Sequence, residues 1–173
     1  GMTVLTDPGE WGPVRLSLCQ EVQAEALDDP ESFFAERIHR IRRPAPDERE
    51  VEDVAALIRK SHKPMVIAGG GVLYSGAEQA LAEFCNRHGV PSGETQAGKS
   101  SLLPDHPLNM GGIGVAGTSA ANTLAEETDL VIAVGTRLQD FTTGSWGIFQ
   151  NPSVKIVTLN VQVADATKHL ASP

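Results

Sequence analysis

Residues 65–89 read MVIAGGGVLYSGAEQALAEFCNRHG, and this stretch decides the fold class. Its first four residues are apolar and typical of a buried strand, and three glycines follow them. Apolar residues then recur at helical spacing up to Gly89, and we expect Ser75 and Glu78 to form a capping box where that helix begins. A strand, a glycine turn and a helix in this order predict one unit of a parallel sheet covered by helices.

The same alternation of apolar runs and helical periodicity continues through residues 50–173. Asp47 is predicted to cap a first helix, and Ser119 a later one. Further strands are predicted at residues 90–96, 130–134 and 155–161. The fold class is therefore α/β, a Rossmann-like parallel sheet with helices on both faces.

The first 49 residues follow a different pattern. Apolar and polar residues alternate over residues 14–19, as in a half-buried strand, and residues 28–49 are rich in proline and charge, as in a surface linker. We expect residues 1–49 to be an extended arm and linker from a preceding domain. A helix is predicted to start in residues 164–170, and we expect the domain of residues 50–173 to be C-terminally truncated.

Charge and cysteine content disfavour several classes of protein. The 14 Lys and Arg against 22 Asp and Glu give a formal charge of -8, which would repel nucleic acid and anionic lipid. Cys19 and Cys85 lie far apart and predict neither a disulfide framework nor a zinc site. No apolar run approaches the roughly 20 residues that span a bilayer. We expect a cytoplasmic protein with no nucleic-acid or membrane partner.

Residues 93–100, GETQAGKS, match the phosphate-loop pattern G-x-x-x-x-G-K-[ST]. A working phosphate loop needs an apolar strand before its first glycine and a helix that begins near its lysine. Here Pro104 and Pro107 follow Lys99 closely and disfavour such a helix. We interpret the match as accidental, and a phosphate-loop protein is kept as an alternative.

The glycines after the first strand also resemble part of a dinucleotide fingerprint. Gly69 and Gly71 fit its first two positions, but Tyr74 occupies the third, and Glu94 would repel a nearby pyrophosphate. The candidates for a vestigial cofactor cleft are Gly69, Gly70, Gly71, Gly135 and Arg137. We expect this cleft to hold no cofactor and Gly70 to adopt a positive φ, with a free-standing dinucleotide-binding domain as the alternative.

No catalytic residue or metal ligand is predicted within the chain. Ser145 lacks the outer glycine spacing of a nucleophile elbow, and no His is placed by sequence to serve it. The five His are scattered, and His106 lies in a predicted turn.

Five stretches carry a family resemblance. They are GPVRLSLCQEVQAEA (residues 12–26), MVIAGGGVLYSGA (65–77), ETQAGKSSLLPDHPLNMGGIGVAGTSAAN (94–122), DLVIAVGTRLQDFTTGSW (129–146) and NPSVKIVTLNVQ (151–162). Together they resemble the thiamine-diphosphate-dependent enzymes that include acetolactate synthase and pyruvate oxidase. Within that family they are most similar to the hydrolases that open the ring of trihydroxycyclohexane-1,2-dione in myo-inositol breakdown.

The resemblance implies a longer parent enzyme with a pyrimidine-binding, a central and a diphosphate-binding domain. This chain would be the central domain, inactive alone, with the two other domains and identical subunits in a dimer or tetramer as its partners. Thiamine diphosphate and Mg²⁺ would be bound by the flanking domains, since the GDG motif that holds the metal is absent from this sequence.

The position of the loops indicates which residues face the substrate. Gln96, Lys99 and Phe141 are placed nearest the active centre because their loops follow predicted strands. Phe141 stands where acetolactate synthases have a basic residue that helps to hold a second keto acid. This difference disfavours acetolactate synthesis, although an acetolactate synthase-like lyase or transferase is kept as an alternative.

Overall fold

The computed structural model describes residues 1–167. The chain divides into two compact units, Gly1–Ala45 and Pro46–Pro173. The second unit begins a few residues before the predicted boundary at residue 50, because its first helix is capped by Asp47. None of the helices in residues 1–167 has both the length and the apolar character needed to cross a membrane.

The first unit contains two short helices, α1 (Met2–Thr6) and α2 (Gln20–Gln23), and a 3₁₀ turn at Glu31–Phe34. The strand predicted at residues 14–19 is wrong, since these residues form no strand. Leu16 and Leu18 are 82% and 67% exposed. Alternation produces a strand only where a neighbour completes the hydrogen-bond ladder and one face is buried, and neither condition is met here.

The second unit is a parallel sheet with helices packed against it. Its helices are α3 (Glu48–Lys60), α4 (Gly70–Ser75), α5 (Glu78–His88), α6 (Ser119–Glu127), α7 (Asp140–Thr143) and α8 (Val163–Thr167). Its strands are β1 (Pro64–Ala68), β2 (Ser92–Glu94), β3 (Asn109–Gly112), β4 (Leu130–Val134) and β5 (Lys155–Leu159). The strand order is β3-β2-β1-β4-β5, and every pairing is parallel. The predicted α/β class is therefore confirmed.

The central strands are buried on both faces of the sheet. In β1, Val66 and Ala68 point into a core shared with α3, α4 and α5, and Met65 and Ile67 point into a second core shared with α6. Alternate residues of β4 divide between the same two cores. Continuous apolar runs are typical of parallel strands covered on both faces, which is why β1 and β4 could be predicted.

One predicted helix cap is confirmed and two are wrong. The Asp47 carboxylate accepts the Arg49 N–H at 2.9 Å, as expected for a helix N-cap. The capping box of Ser75 with Glu78 does not form, because the glycines start α4 and Ser75 ends it. Helix α6 is capped by Thr118, rather than by Ser119.

Three predicted elements differ in their bounds from the described ones. The strand expected at residues 90–96 is reduced to β2, and the one expected at 155–161 ends as β5 at Leu159. The helix expected at residues 164–170 begins one residue earlier, as α8, and its last three residues lie outside the described part of the chain.

Candidate functional site

The predicted cleft glycines lie at the carboxyl edge of the sheet, where β1 and β4 end side by side. Gly71 donates its N–H to the Gly135 carbonyl oxygen at 3.0 Å. A Cβ on Gly71 would lie 2.5 Å from the Gly135 Cα, and a Cβ on Gly69 would collide with the Gly135 carbonyl. These glycines therefore allow the start of α4 to pack directly on the end of β4.

Gly70 serves a different purpose from the one predicted. Its φ is not positive, so the expectation of a left-handed Gly70 is wrong. It is buried at the first position of α4, where helical backbone suits any residue. A Cβ there would lie 3.1 Å from the Tyr74 ring and 3.2 Å from the Ala97 Cβ. Among the cleft glycines, the left-handed residue is Gly135, with a φ of 60°.

Arg137, predicted as the cation at the cleft mouth, has an acidic partner. Its Nε lies 2.6 Å from Oδ2 of Asp165 on α8, and the Asp165 side chain is 20% exposed. Both residues line a cavity of about 10 Å³, together with Thr136, Leu138, Trp146, Thr158 and Ala166. A cavity of this size holds about one water molecule.

The phosphate-loop match lies in a series of tight turns. The Thr95 N–H bonds to the Ala68 carbonyl at 2.9 Å, the Gly98 N–H to the Thr95 carbonyl at 3.0 Å, and the Ser101 N–H to the Gly98 carbonyl at 3.0 Å. Turns and bends occupy residues 96–102, so no helix begins near the exposed Lys99. The geometry lacks the helix N-terminus on which triphosphate binding depends.

Glu94 ends β2 and is only 8% exposed. Its Oε1 accepts the Leu102 N–H at 3.2 Å and the Asn109 Nδ2–H at 3.4 Å. The carboxylate thus faces the protein's own amide groups, which differs from the predicted position opposite a pyrophosphate. Sequence reasoning missed Asn109 because β3, in which it lies, carried no strand signal.

Phe141 lies on α7, and its side chain is 47% exposed. Its carbonyl oxygen accepts the Val115 N–H at 3.0 Å, which joins α7 to the connection between β3 and α6. Gln96 and Lys99 lie after β2, so all three predicted substrate-side residues follow carboxyl ends of strands. Within residues 1–167, no hydrogen bond or ion pair joins their side chains to one another.

His106 and Ser145, the other polar residues considered from the sequence, both lie in turns. His106 accepts the Leu108 N–H on Nδ1 at 3.2 Å, which stabilises a turn. Ser145 lies in the turn after α7 with a φ of 53°. No group of three His, Cys, Asp or Glu residues within the described chain is placed to hold a metal ion.

These features define a class of domain: an open parallel α/β sheet whose loops gather at its carboxyl edge. The sequence model of the thiamine pyrophosphate enzyme central domain matches residues 51–172. The chain belongs to this family of central domains.

Curated relatives cover nearly the whole chain. It is 53% identical over 160 residues to a 3D-(3,5/4)-trihydroxycyclohexane-1,2-dione hydrolase of Clostridium perfringens (strain 13 / Type A), with 92% of the chain and 25% of the relative covered. It is 50% identical over 167 residues to proteins of the same name from Clostridium botulinum (strain Alaska E43 / Type E3) and Geobacillus thermodenitrificans (strain NG80-2), with 96% of the chain and 26% of each relative covered. The chain therefore spans about a quarter of the length of these relatives.

Proposed function

We propose that this chain is the central domain of a thiamine-diphosphate-dependent hydrolase that opens the ring of 3D-(3,5/4)-trihydroxycyclohexane-1,2-dione in myo-inositol breakdown. The observation that carries the proposal is the identity of about half of all residues, over more than nine-tenths of the chain, with proteins of that name. The aligned stretch extends into residues 1–45 as well, since 96% of the chain is covered.

The two structural units would belong to different parts of the parent enzyme. Residues 1–49 would connect a preceding pyrimidine-binding domain to the sheet, and a diphosphate-binding domain would follow. The coverage of only a quarter of each relative leaves ample length for both domains. Identical subunits of the parent enzyme would be further partners, in a dimer or tetramer.

Thiamine diphosphate and Mg²⁺ are assigned to the flanking domains, because the described residues offer no acidic cluster for the metal. When bound, thiamine diphosphate supplies the electron sink for cleavage of a C–C bond. This chain would then contribute orientation only, since it presents Gln96, Lys99 and Phe141 on loops of a rigid parallel sheet.

The chemistry of these three side chains fits a polyhydroxylated dione. Lys99 and Gln96 are exposed and can donate hydrogen bonds to carbonyl and hydroxyl oxygens. Phe141 offers an apolar surface and cannot pair with a carboxylate, which disfavours a second keto acid as substrate.

We further propose that the cleft between β1 and β4 holds no nucleotide. Arg137 is engaged by Asp165, and one exposed cation would contribute too little to hold a dianion alone. A flavin would be detected directly, as absorbance near 450 nm that stays with the protein through gel filtration. Such a peak would contradict this part of the proposal.

The test of the main proposal is a ring-opening assay of the parent enzyme with and without thiamine diphosphate and Mg²⁺. We expect ring opening only when both are present, and a large loss of kcat/KM in Lys99→Ala. The same preparations are given pyruvate as sole substrate. Formation of acetolactate without ring opening would replace the hydrolase by the acetolactate synthase-like alternative.

A further inference from the structure

Residues 95–103, here called the β2 loop, include both exposed and buried residues. Gln96, Lys99 and Ser100 are exposed. Thr95, Gly98, Ser101 and Leu102 are buried. A loop that buries anchor residues at its start, middle and end presents the exposed ones in one defined arrangement.

The start of the loop is bonded to the end of β1. Besides the backbone bond from Thr95 to Ala68, the Thr95 Oγ1 accepts the Gly98 N–H at 3.1 Å. Ser101 Oγ donates to the Gly98 carbonyl at 2.6 Å. Gly98 packs so closely on the Ala68 carbonyl that a Cβ would collide with it. These bonds fix the first half of the loop.

The end of the loop is held by two side chains outside it. Glu94 Oε1 accepts the Leu102 N–H, as described above. The two N–H groups of Asn109 Nδ2 are shared among three acceptors, the carbonyl oxygens of Leu102 at 3.3 Å and Leu103 at 3.2 Å and Oε1 of Glu94. The Asn109 Oδ1 accepts the Gly111 N–H at 2.8 Å, which orients the amide. One amide thus connects β2, β3 and the loop end.

The backbone between the two anchored ends is strained. Ser100 has a φ of 74°, a left-handed conformation that is unfavourable for a residue with a Cβ. Such a conformation persists only where the surrounding contacts enforce it. If the loop end were released, Ser100 could relax, and Lys99 beside it would turn away.

We propose that Glu94 and Asn109 are positioning residues, which hold the β2 loop in the one conformation that presents Gln96 and Lys99 at the carboxyl edge. The proposal rests on the function assigned above, in which those two side chains face the substrate. Neither Glu94 nor Asn109 is assigned a contact with substrate or cofactor.

The first experiment measures the loop itself, in the parent enzyme. Asn109→Ala removes the amide, and Asn151→Ala is the matched control, because its Nδ2 donates to the Thr128 carbonyl at 3.0 Å and its Oδ1 accepts the Ser153 N–H at 2.9 Å. Asn151 lies before β5, at the opposite edge of the sheet. We expect trypsin cleavage after Lys99, followed by mass spectrometry, to accelerate about tenfold or more in Asn109→Ala alone, since cleavage follows local opening.

The second experiment measures turnover in the same variants. We expect kcat/KM for ring opening to fall by about ten- to a hundredfold in Asn109→Ala, because small displacements of positioning groups have effects of that size. We expect the kcat/KM of Asn151→Ala to stay within about threefold of that of the unsubstituted enzyme, even if both variants lower the melting temperature equally. Glu94→Gln, which keeps an oxygen acceptor, should restore most of the activity that Glu94→Ala loses.

The outcomes separate this proposal from the assigned function. The positioning proposal is overturned if Asn109→Ala is cleaved at the rate of the unsubstituted enzyme, or if it is cleaved faster with unchanged kcat/KM. It is also overturned if Asn151→Ala loses as much kcat/KM as Asn109→Ala. If the parent enzyme opens no ring at all, the assigned function fails. The trypsin cleavage rates of Asn109→Ala, Glu94→Ala and Asn151→Ala then decide by themselves whether Glu94 and Asn109 hold the β2 loop.

Discussion

The backbones of Gly71 and Gly135 touch across the carboxyl edge of the sheet, and each occupies the space that a Cβ on the other would need. The two residues share a hydrogen bond of 3.0 Å, and the left-handed φ of Gly135 turns the chain out of β4 toward α7. This contact sets the distance between the loops that follow β1 and β4. The edge that carries the candidate site therefore depends on the close packing of a pair of glycines.

Gly71→Ala should destabilise the domain substantially. Its new Cβ would meet the Gly135 Cα at 2.5 Å, and because the obstacle is backbone, a strand end must shift. Overpacking of this kind costs about 1–3 kcal/mol or more. Urea unfolding followed by circular dichroism measures the free energy of unfolding.

Gly76→Ala is the control for that measurement. Unlike Gly71, Gly76 has a left-handed φ, of 61°, and apart from its chain neighbours no atom of the described residues lies within 4 Å of its Cβ position. Its substitution should cost only about 1 kcal/mol of backbone strain. Equal losses in the two variants would show that the contact of Gly71 with Gly135 is not what constrains the fold.

The sequence predicts those parts of the fold whose pattern lies within one short segment of the chain. β1 and β4 are continuous apolar runs, and Asp47 lies within reach of the amides it caps, so local patterns were sufficient. β3 has the sequence NMGG, which shows neither alternation nor an apolar run. It forms a strand because the edge of β2 supplies its hydrogen bonds, and that information lies in another part of the chain.

The same distinction applies to the candidate site. The placement of Gln96, Lys99 and Phe141 after strand ends follows from strand order along the chain, whereas their role toward a substrate stays a prediction. The pairs Glu94 with Asn109 and Arg137 with Asp165 were missed. Glu94 and Asn109 lie on neighbouring strands, and Arg137 and Asp165 follow different strands, so sequence spacing does not relate the members of either pair.

Asp129 should make stability depend on pH in the acid range. Burial acts to raise the pKa of Asp129, but bonds from the Ser61 hydroxyl and from the N–H groups of His62 and Lys63 outweigh it and hold the pKa below its ordinary value. A lowered pKa in the folded state stabilises the fold above the ordinary value of about 3.9. That contribution should disappear as pH falls through 3.9 and then through the lower folded pKa.

Asp129→Asn tests this directly, since it keeps the shape but places an NH₂ group against one of the donors. We expect a loss of about 1–3 kcal/mol in the free energy of unfolding near pH 7. The loss should shrink below about pH 4, where the Asp129 carboxylate of the unsubstituted protein becomes protonated. Glu127→Gln serves as control, because the ion pair of Glu127 with Lys63 is exposed on both sides. A pH-independent loss in Asp129→Asn would contradict the argument.

The two cysteines should differ sharply toward thiol reagents. Cys85 is fully buried beneath the sheet, and burial raises its pKa to about 11, so little thiolate forms at pH 8. Cys19 is exposed. Ellman's reagent should therefore modify one thiol rapidly in the native protein and both in urea. Cys19→Ser should abolish the rapid phase, and rapid labelling that survives this substitution would show that Cys85 is accessible.

ATP should not bind at the phosphate-loop match. The β2 loop consists of turns, so the N–H groups of a helix N-terminus are not available around Lys99, and Glu94 directs its carboxylate inward to Leu102 and Asn109. A ligand present at 100 times its dissociation constant would stabilise the fold by about 2.7 kcal/mol, which a thermal melt detects easily. We expect the melting temperature with ATP and Mg²⁺ to equal that without them, both in the unsubstituted protein and in Lys99→Ala. A rise in the unsubstituted protein that is absent from Lys99→Ala would show that the turns rearrange into a triphosphate site and that the chain is a phosphate-loop protein.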